Sequence, residues 1–328
     1  MLFFDGFIDS YFLYNLEKPK VEKRLYTTQA VTVSNPSINL AHAGVNLTDK
    51  KFRGRFAIQT GDSVKANTIY EPNQKLGKIQ ESYLGYRINP RTWLDGGIYL
   101  SHIGMESWIS QKNMTYTRSM LLDYVPYYSL GLKISQELDK NNYFEFHFMN
   151  GWQIISETNS AKSFGLKYKK KFSDFVFIYN NFLGDERIIS GQKSRFRTYH
   201  NVIGEFKLSG SWKTQFSIDF GTQAQQKNDG VDTWNAQAFT TQYKINPKNF
   251  LAWRVEHYSD PEQANVKTGT RNGFRVYSTS ANYDHHISEM FFWRTEIKYS
   301  KSMDKIYPFD SSLSSTDSFF VTSLSLSL

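Results

Sequence analysis

Polar and apolar residues alternate one by one in short segments that recur along the whole chain. The last segment shows the pattern most clearly, because Leu324, Leu326 and Leu328 alternate with serines. Successive side chains of a β-strand point to opposite faces, so each segment would have one apolar and one polar face. The pattern predicts an all-β protein whose sheet separates two different environments.

We predict sixteen strands from this alternation and from the turn residues between the segments. Their bounds are residues 4–14, 36–47, 52–60, 77–87, 93–104, 127–137, 143–150, 161–170, 175–183, 196–207, 212–224, 233–244, 250–258, 273–283, 290–300 and 316–328.

The connections between these strands alternate in length. Short turns rich in Asn, Asp, Gly, Pro and Ser, such as 88–92 and 245–249, alternate with connections of about 8 to 22 residues, such as 15–35 and 105–126. Outer-membrane barrels have short periplasmic turns and long external loops. We therefore predict a transmembrane antiparallel up-and-down β-barrel of about 16 strands, forming one domain over residues 1–328. A large soluble β-sandwich or propeller is the alternative, but no blade-like repeat period is present.

The composition agrees with a barrel. The chain has 26 Phe, 21 Tyr and 7 Trp, yet its mean hydropathy is −0.53. Alternating lipid-facing and lumen-facing residues produce this combination, because they cancel in any sequence window. There is no cysteine, which excludes disulfides and thiolate metal sites. The net charge of +8 is spread along the chain without a nucleic-acid-binding motif, so we expect no nucleic-acid partner.

The two faces of individual strands can be assigned. In "LAWRVEHY", Leu251 and Trp253 would face lipid, whereas Arg254 and Glu256 would face inward. A charge opposite an apolar face is costly in a dry core but not in water. We therefore expect the inward charges to line a water-filled lumen, where Arg254→Leu would be mild.

A long central stretch resembles a known family. "WLDGGIYLSHIGMESWISQKNMTYTRSMLLDYVPYYSLGLKIS", followed by "NGWQ", "YHNVIGEF", "SIDFGTQAQ", "TWNAQAF", "VEHYSD" and "NGFRVYSTSANYD", is similar to the β-barrel porin-2 (OmpL-like) family, found mainly in Bacteroidota. The resemblance implies a barrel in the bacterial outer membrane that passes solutes by diffusion. It does not specify a solute.

The most informative connection is 105–126, the third long one. Its charges stand among many apolar side chains, so we expect it to fold into the lumen and pack on the inner wall; a lid over the barrel mouth is the alternative. The predicted pore-lining and constriction residues are Arg53, Arg55, Arg87, Glu106, Lys112, Arg118, Asp123, Arg254, Glu256, Arg294 and Glu296. A cationic excess in a narrow channel would favour anions. Equally, the charges could neutralise same-face neighbours, such as Arg254 with Glu256 and Arg294 with Glu296.

The function predicted from these features is a porin-like channel for passive diffusion of small hydrophilic solutes. The alternative is a non-conducting barrel that serves a larger outer-membrane complex. Expected partners are outer-membrane lipid, lipopolysaccharide and solutes, with other outer-membrane proteins in the second case. Asp284, His285 and His286 adjoin one another, but neighbouring strand residues point apart, so we predict no metal site and no cofactor. No nucleophile signature is present, and we predict no enzymatic activity.

Overall fold

The computed structural model describes residues 1–187, 192–226 and 229–328. Eighteen strands are present in this part of the chain: β1 Leu2–Asn15, β2 Ser37–Thr48, β3 Phe52–Thr60, β4 Ile79–Asn89, β5 Thr92–Leu100, β6 Tyr128–Glu137, β7 Asn142–Met149, β8 Ser163–Lys171, β9 Phe175–Asp185, β10 Phe196–Lys207, β11 Trp212–Ala224, β12 Val231–Asn246, β13 Asn249–Asp260, β14 Phe274–His286, β15 Phe291–Ser302, β16 Tyr307–Phe309, β17 Ser312–Ser314 and β18 Thr316–Ser327. Two α-helices, α1 Asp62–Asn67 and α2 Met120–Asp123, and two 3₁₀ turns, Leu76–Lys78 and Ser110–Lys112, lie in the loops. None of the helices in these ranges is long and apolar enough to span a membrane.

Sixteen of the strands form one closed antiparallel barrel, and β16 and β17 form a separate small hairpin in the last loop. Each barrel strand pairs with its neighbours in sequence, and β18 closes the barrel by pairing with β15 and β1. At the closure Ser10 lies opposite Leu324, and Leu328 N donates to Gly6 O at 2.9 Å. Closure satisfies the backbone groups of the terminal strands, which lipid could not do. The predicted sixteen-stranded antiparallel barrel is confirmed.

Turn chemistry explains the short connections. The Asn89 carboxamide oxygen accepts a hydrogen bond from Arg91 N at 2.9 Å, and Asn246 accepts one from Lys248 N at the same distance. These two turns have the similar sequences "INPRT" and "INPKN", and both form the same type of Asx turn. Both turns lie at the end of the barrel that carries the short connections, which is the periplasmic end in outer-membrane barrels.

The outer face of the barrel is apolar along the strands. Leu251, Trp253 and Leu324 are about half exposed, whereas Arg254 on the next position of β13 is fully buried. Ser323 and Ser325 are likewise buried beside the exposed Leu324. The side chains thus alternate between the two faces as the sequence pattern predicted.

Strand β5 ends at Leu100, four residues before the predicted bound at residue 104. The chain turns away from the sheet there, and Gly104 has a φ of 100°, a conformation that residues with a side chain rarely adopt. Residues 101–127, between β5 and β6, are called the internal loop below.

The external half of the barrel contains a packed apolar core. Met120, Leu121 and Leu122 of the internal loop join one cluster with inward side chains such as Trp234 and Tyr258. A second apolar cluster involves the N-terminal strands β1, β2, β5 and β6. It consists of Phe7, Leu40, Val64, Ile98, Trp108, Tyr127, Tyr128 and Ile155. The interior in this half is therefore filled by loop side chains.

Candidate functional site

The internal loop crosses the barrel interior from the β5–β6 edge to the opposite wall. Its 3₁₀ turn reaches the periplasmic end, where the Gln111 side-chain amide donates to Ser325 O at 2.9 Å and to Met290 O at 3.1 Å. Met290 belongs to the short turn between β14 and β15. The loop leaves β5 at the external end of that strand, and Met105 O already lies 3.5 Å from the amide of Gln215, the fourth residue of β11 after a short turn. The loop thus runs nearly the full depth of the barrel.

Arg254 on β13 makes the densest set of contacts with the internal loop. Its guanidinium lies 3.3 Å from Glu106 Oε1, 3.4 Å from Glu256 Oε1 and 3.2 Å from Glu296 Oε1. It also donates to Thr117 O at 2.6 Å and to the Thr117 hydroxyl at 3.0 Å. Arg254 is wholly buried. One cation from the wall therefore compensates three carboxylates and holds the loop backbone.

Arg294 on β15 contacts the internal loop at an earlier point in its sequence, at residues 110–113. It makes a bidentate pair with Asp284, at 2.7 and 2.9 Å, and donates to the carbonyls of Ser110 and of Asn113, the latter at 2.9 Å. The expected pairing of Arg254 with Glu256 is present. The expected pairing of Arg294 with Glu296 is wrong, because Asp284 and Arg294 are directly opposed across β14 and β15.

Wall side chains also accept hydrogen bonds from the backbone N–H groups of the internal loop. These are Tyr116 N to Asn282 Oδ1 at 3.0 Å, Thr117 N to Glu296 Oε2 at 2.6 Å, and Met120 N to Glu256 Oε2 at 2.6 Å. Buried backbone groups need partners, and here the wall provides them in place of a strand ladder.

The four predicted charges on the loop itself have different environments. Glu106, Arg118 and Asp123 are nearly buried, whereas Lys112 is exposed. Arg118 lies 3.6 Å from Asp123, and the Glu106 carboxylate accepts bonds from Ser119 N and Oγ at 2.8 and 2.6 Å. Burial raises the pKa of Glu106 above its ordinary value, although Arg254 and the Ser119 bonds oppose the shift.

The predicted arginines on the facing wall do not contact the internal loop through any of their ion pairs. Arg55 pairs with Asp5 at 2.6 Å and Glu81 at 2.5 Å, and Arg53 makes a bidentate pair with Asp95 at 2.6 and 2.5 Å. Arg87 lies at the periplasmic rim and donates to Pro90 O at 2.6 Å. The structure thus divides the predicted residues into a loop-binding group and a group on the opposite wall.

The expectation of solvated charges must be corrected for the β13–β15 wall. Arg254, Arg294 and Glu296 expose 1% or less of their surface. The physical reason is that loop carbonyls, hydroxyls and a loop carboxylate replace water around these groups. On the facing wall the Arg53 side chain is 29% exposed, so it remains partly solvated.

Sequence reasoning missed the part played by the first long connection, residues 16–36. Its threonines Thr27 and Thr28 donate to the two Asp123 carboxylate oxygens at 3.1 and 2.5 Å. The Gln29 carboxamide oxygen accepts a bond from Arg118 N at 2.8 Å. The sequence "TTQ" at residues 27–29 has no pattern from which a contact with the internal loop could be predicted. The contact is visible only in the structure.

Cavities lie at both ends of the interior and between them. The periplasmic one, of about 360 Å³, is lined by Glu106, Lys112 and Lys207 among others. The external one, of about 600 Å³, reaches down to Asp123 and Tyr124. A cavity of about 20 Å³ beside Asp123 and Lys298 lies between them. Lys298 in turn pairs with Glu256 at 2.6 Å, which connects this cavity to the Arg254 cluster.

No group of three His, Asp or Glu side chains in residues 1–187, 192–226 and 229–328 is arranged to bind a metal ion. Asp284 points inward to Arg294, and His285 Nδ1 instead contacts Asn249 Oδ1 at 2.7 Å. These adjacent residues therefore have separate environments.

A closed sixteen-stranded barrel with an apolar outer face, short turns at one end and a charged interior defines a porin-like outer-membrane protein. The family model "Putative beta-barrel porin-2, OmpL-like" matches residues 2–328, and the chain belongs to this family. Its location is the bacterial outer membrane, with lipid around the strands.

Solved structures with the same fold include several outer-membrane proteins. The chain is similar over its whole length to the anion-selective porin of Comamonas acidovorans (TM-score 0.67, 8% identity, 99% of that chain covered) and to the outer-membrane channel DcaP of Acinetobacter baumannii (0.65, 11%, 97%). It is also similar to OmpT of Vibrio cholerae (0.64, 10%, 97%). At these identities the likeness shows the fold alone. A comparison with curated proteins found no match.

Proposed function

We propose that the protein is a channel for passive diffusion of small hydrophilic solutes, narrowed by the internal loop. Membership of a porin family and the fold shared with porins favour a channel over an enzyme. The observation that carries the proposal is the seam of ion pairs between the external and periplasmic cavities. Arg254, Glu106, Glu256 and Lys298 lie along it. Charged side chains at a constriction provide a solute with groups that replace its water shell.

The predicted constriction residues take two roles in this proposal. Arg254, Glu256, Arg294 and Glu296 position the internal loop, and Glu106, Arg118 and Asp123 complete its attachment. Lys112, Arg53, Arg55 and Arg87 face the more open periplasmic half and set its local potential. The outer face contacts lipid and, in the external leaflet, lipopolysaccharide.

A second function is favoured by the apolar packing of the external half. Met120, Leu121 and Leu122 fill the space between the internal loop and the wall, each exposing 7% or less of its surface. A barrel closed in this way would serve as a non-conducting subunit of a larger outer-membrane complex.

Planar-bilayer recording of the purified full chain separates the two functions. Stable ohmic steps are expected for the channel. Shortening residues 105–126 to a Gly/Ser linker between Gly104 and Pro126 should then raise the conductance, because length changes in a connection cost little relative to strand pairing. A silent parent protein that is also silent after the shortening would overturn the channel proposal in favour of the accessory function.

A further inference from the structure

The external cavity, called the vestibule here, is a bowl between three loops. Its volume of about 600 Å³ lies within the range of small-molecule sites. Its sides come from residues 23–28 of the first loop, from α1 and the residues after it, and from residues 265–267. Its floor is closed by Asp123 and Tyr124 of the internal loop.

The acidic groups of the vestibule are already compensated by the protein. The Asp62 carboxylate accepts hydrogen bonds from Tyr11, Thr32 and Ser37 at 2.8, 2.7 and 2.7 Å. Burial raises the pKa of Asp62, but the bonds from these three hydroxyls outweigh it and lower the pKa overall. Asp123 is similarly occupied by two threonine hydroxyls and by Arg118.

The basic groups of the vestibule are less occupied. The side chains of Lys23 and Lys65 are exposed and have neither an ion pair nor a hydrogen bond within the described ranges. Lys267 contacts only the Gln263 carbonyl, and Arg24 pairs with Asp317 at 2.8 Å. The vestibule is lined by Lys23, Arg24, Lys65 and Lys267 but by only two carboxylates, those of Asp62 and Asp123, so its potential is positive.

Two buried donors at the bottom of the vestibule also lack a partner. Arg24 Nε and the Tyr124 hydroxyl find no hydrogen-bond acceptor in the described part of the chain. A buried donor without a partner is costly unless a ligand or water completes it. Both atoms lie beneath the lining, and the Arg24 guanidinium is already paired with Asp317, so the exposed Lys23 and Lys65 are the groups that an anion can reach.

Aromatic side chains complete the lining. Tyr70 is 85% exposed on one side of the vestibule. Tyr26 on another side is held by ring contacts with Phe274 at 5.5 Å and Tyr307 at 6.2 Å. Tyrosine rings provide rigid apolar faces for stacking on planar or sugar rings.

We infer that the vestibule binds small organic anions whose body carries rings, with the carboxylate directed to Lys23 and Lys65 and the rings against Tyr26 and Tyr70. This inference rests on the proposed channel function, in which the vestibule is the first stop of a solute on its way inward. The inference names a class of solute, which the fold alone does not specify.

A matched pair of glycosides tests the inference on the purified full-length protein. 4-Nitrophenyl β-D-glucuronide and 4-nitrophenyl β-D-glucoside differ only in a carboxylate in place of a hydroxymethyl group. Equilibrium dialysis should show about tenfold tighter binding of the glucuronide, the contribution of one well-placed charge pair. Glucuronate without the aryl ring should bind more weakly than the aryl glucuronide. Equal affinity for the two glycosides would overturn the inference.

Two lysine variants locate the site. The double variant K23Q/K65Q should lose the preference for the glucuronide, and K18Q, which removes a charge of the same loop outside the vestibule, should keep it. A preference that survives K23Q/K65Q would place the anion elsewhere and refute the site.

The two proposals fail separately. A protein that prefers the glucuronide but passes no current refutes the channel and leaves the vestibule site standing. A protein that conducts but binds both glycosides equally refutes the site alone.

Discussion

Arg254→Met should release the internal loop while leaving the barrel intact. The substitution keeps the unbranched aliphatic stem and removes the guanidinium. Three buried carboxylates, on Glu106, Glu256 and Glu296, then lose their shared cation. The hydrogen bonds to Thr117 are lost as well.

The magnitude follows from burial. Removing one partner of a buried ion pair costs about 3–5 kcal/mol, because the remaining charge is left without compensation. The backbone of Arg254 still pairs with Ser280 on β14 and Thr240 on β12, so the sheet is not weakened. The cost therefore falls on the docked position of the loop. Its docked-to-undocked ratio should fall by roughly two to four orders of magnitude.

Two assays measure this change. Single-channel conductance in planar bilayers should rise, with larger current fluctuations. Trypsin should cut after Arg118, which is buried in the docked loop, and mass spectrometry of the fragments identifies the site. Arg53→Met is the matched control, because the Arg53 hydrogen bonds go to Asp95 and Ser135 and none goes to the internal loop. Unchanged conductance together with a protected loop in Arg254→Met would refute the argument.

Three further predictions concern lipid contact, pH and orientation. Leu251→Arg places a cation on the lipid-facing surface at a cost of about 2–4 kcal/mol near the midplane, and should reduce the heat-resistant folded fraction on gels; normal assembly would contradict the assigned faces. Burial lowers the pKa of His102 well below its ordinary value, so the unfolded chain binds a proton near pH 6.5 that the folded chain does not. Stability should therefore fall as the pH drops below about 6.5, and the free energy of urea unfolding of His102→Asn should depend less steeply on pH than that of the parent; an identical pH dependence would exclude His102 as the cause. A cysteine at Ser311 should label from outside intact cells and one at Asn246 should not; equal labelling of both would mean that the assignment of long loops and short turns is inverted or wrong.

The barrel could be predicted from sequence because two-residue alternation determines strand register strongly. A slip of one residue would exchange the lipid-facing Leu251 and Trp253 with Arg254 and the next inward residues. Such a slip is so costly that strand bounds follow the pattern closely. The exception is the end of β5, where His102 turns inward and stacks on the His147 ring at a centroid distance of 4.0 Å. A Cβ at Gly165 would lie 2.6 Å from His102 Cε1, so this turn depends on a glycine of another strand.

The inward direction of the charges could be predicted, but their partners could not. Arg294 and Glu296 share a face of β15, yet Arg294 binds Asp284 and two carbonyls of the internal loop. The nearest of these loop carbonyls, on Asn113, is 181 residues away in sequence. The sequence pattern of one strand contains no information on such a contact, because the contact depends on where the internal loop crosses the barrel interior.

The two halves of the interior therefore place different demands on a solute. In the periplasmic half, the Arg53 side chain is 29% exposed beside Asp95, and a separate cavity of about 360 Å³ is lined by charged groups such as Lys112, Glu205 and Lys207. In the external half, apolar side chains of the internal loop occupy much of the space, and a seam of paired charges runs from Asp123 to Lys298 and Arg254. Desolvation of a hydrophilic solute is least costly along that seam, since buried polar groups are compensated there. In the proposed channel, a change that releases Arg254 would therefore widen the interior beside this seam.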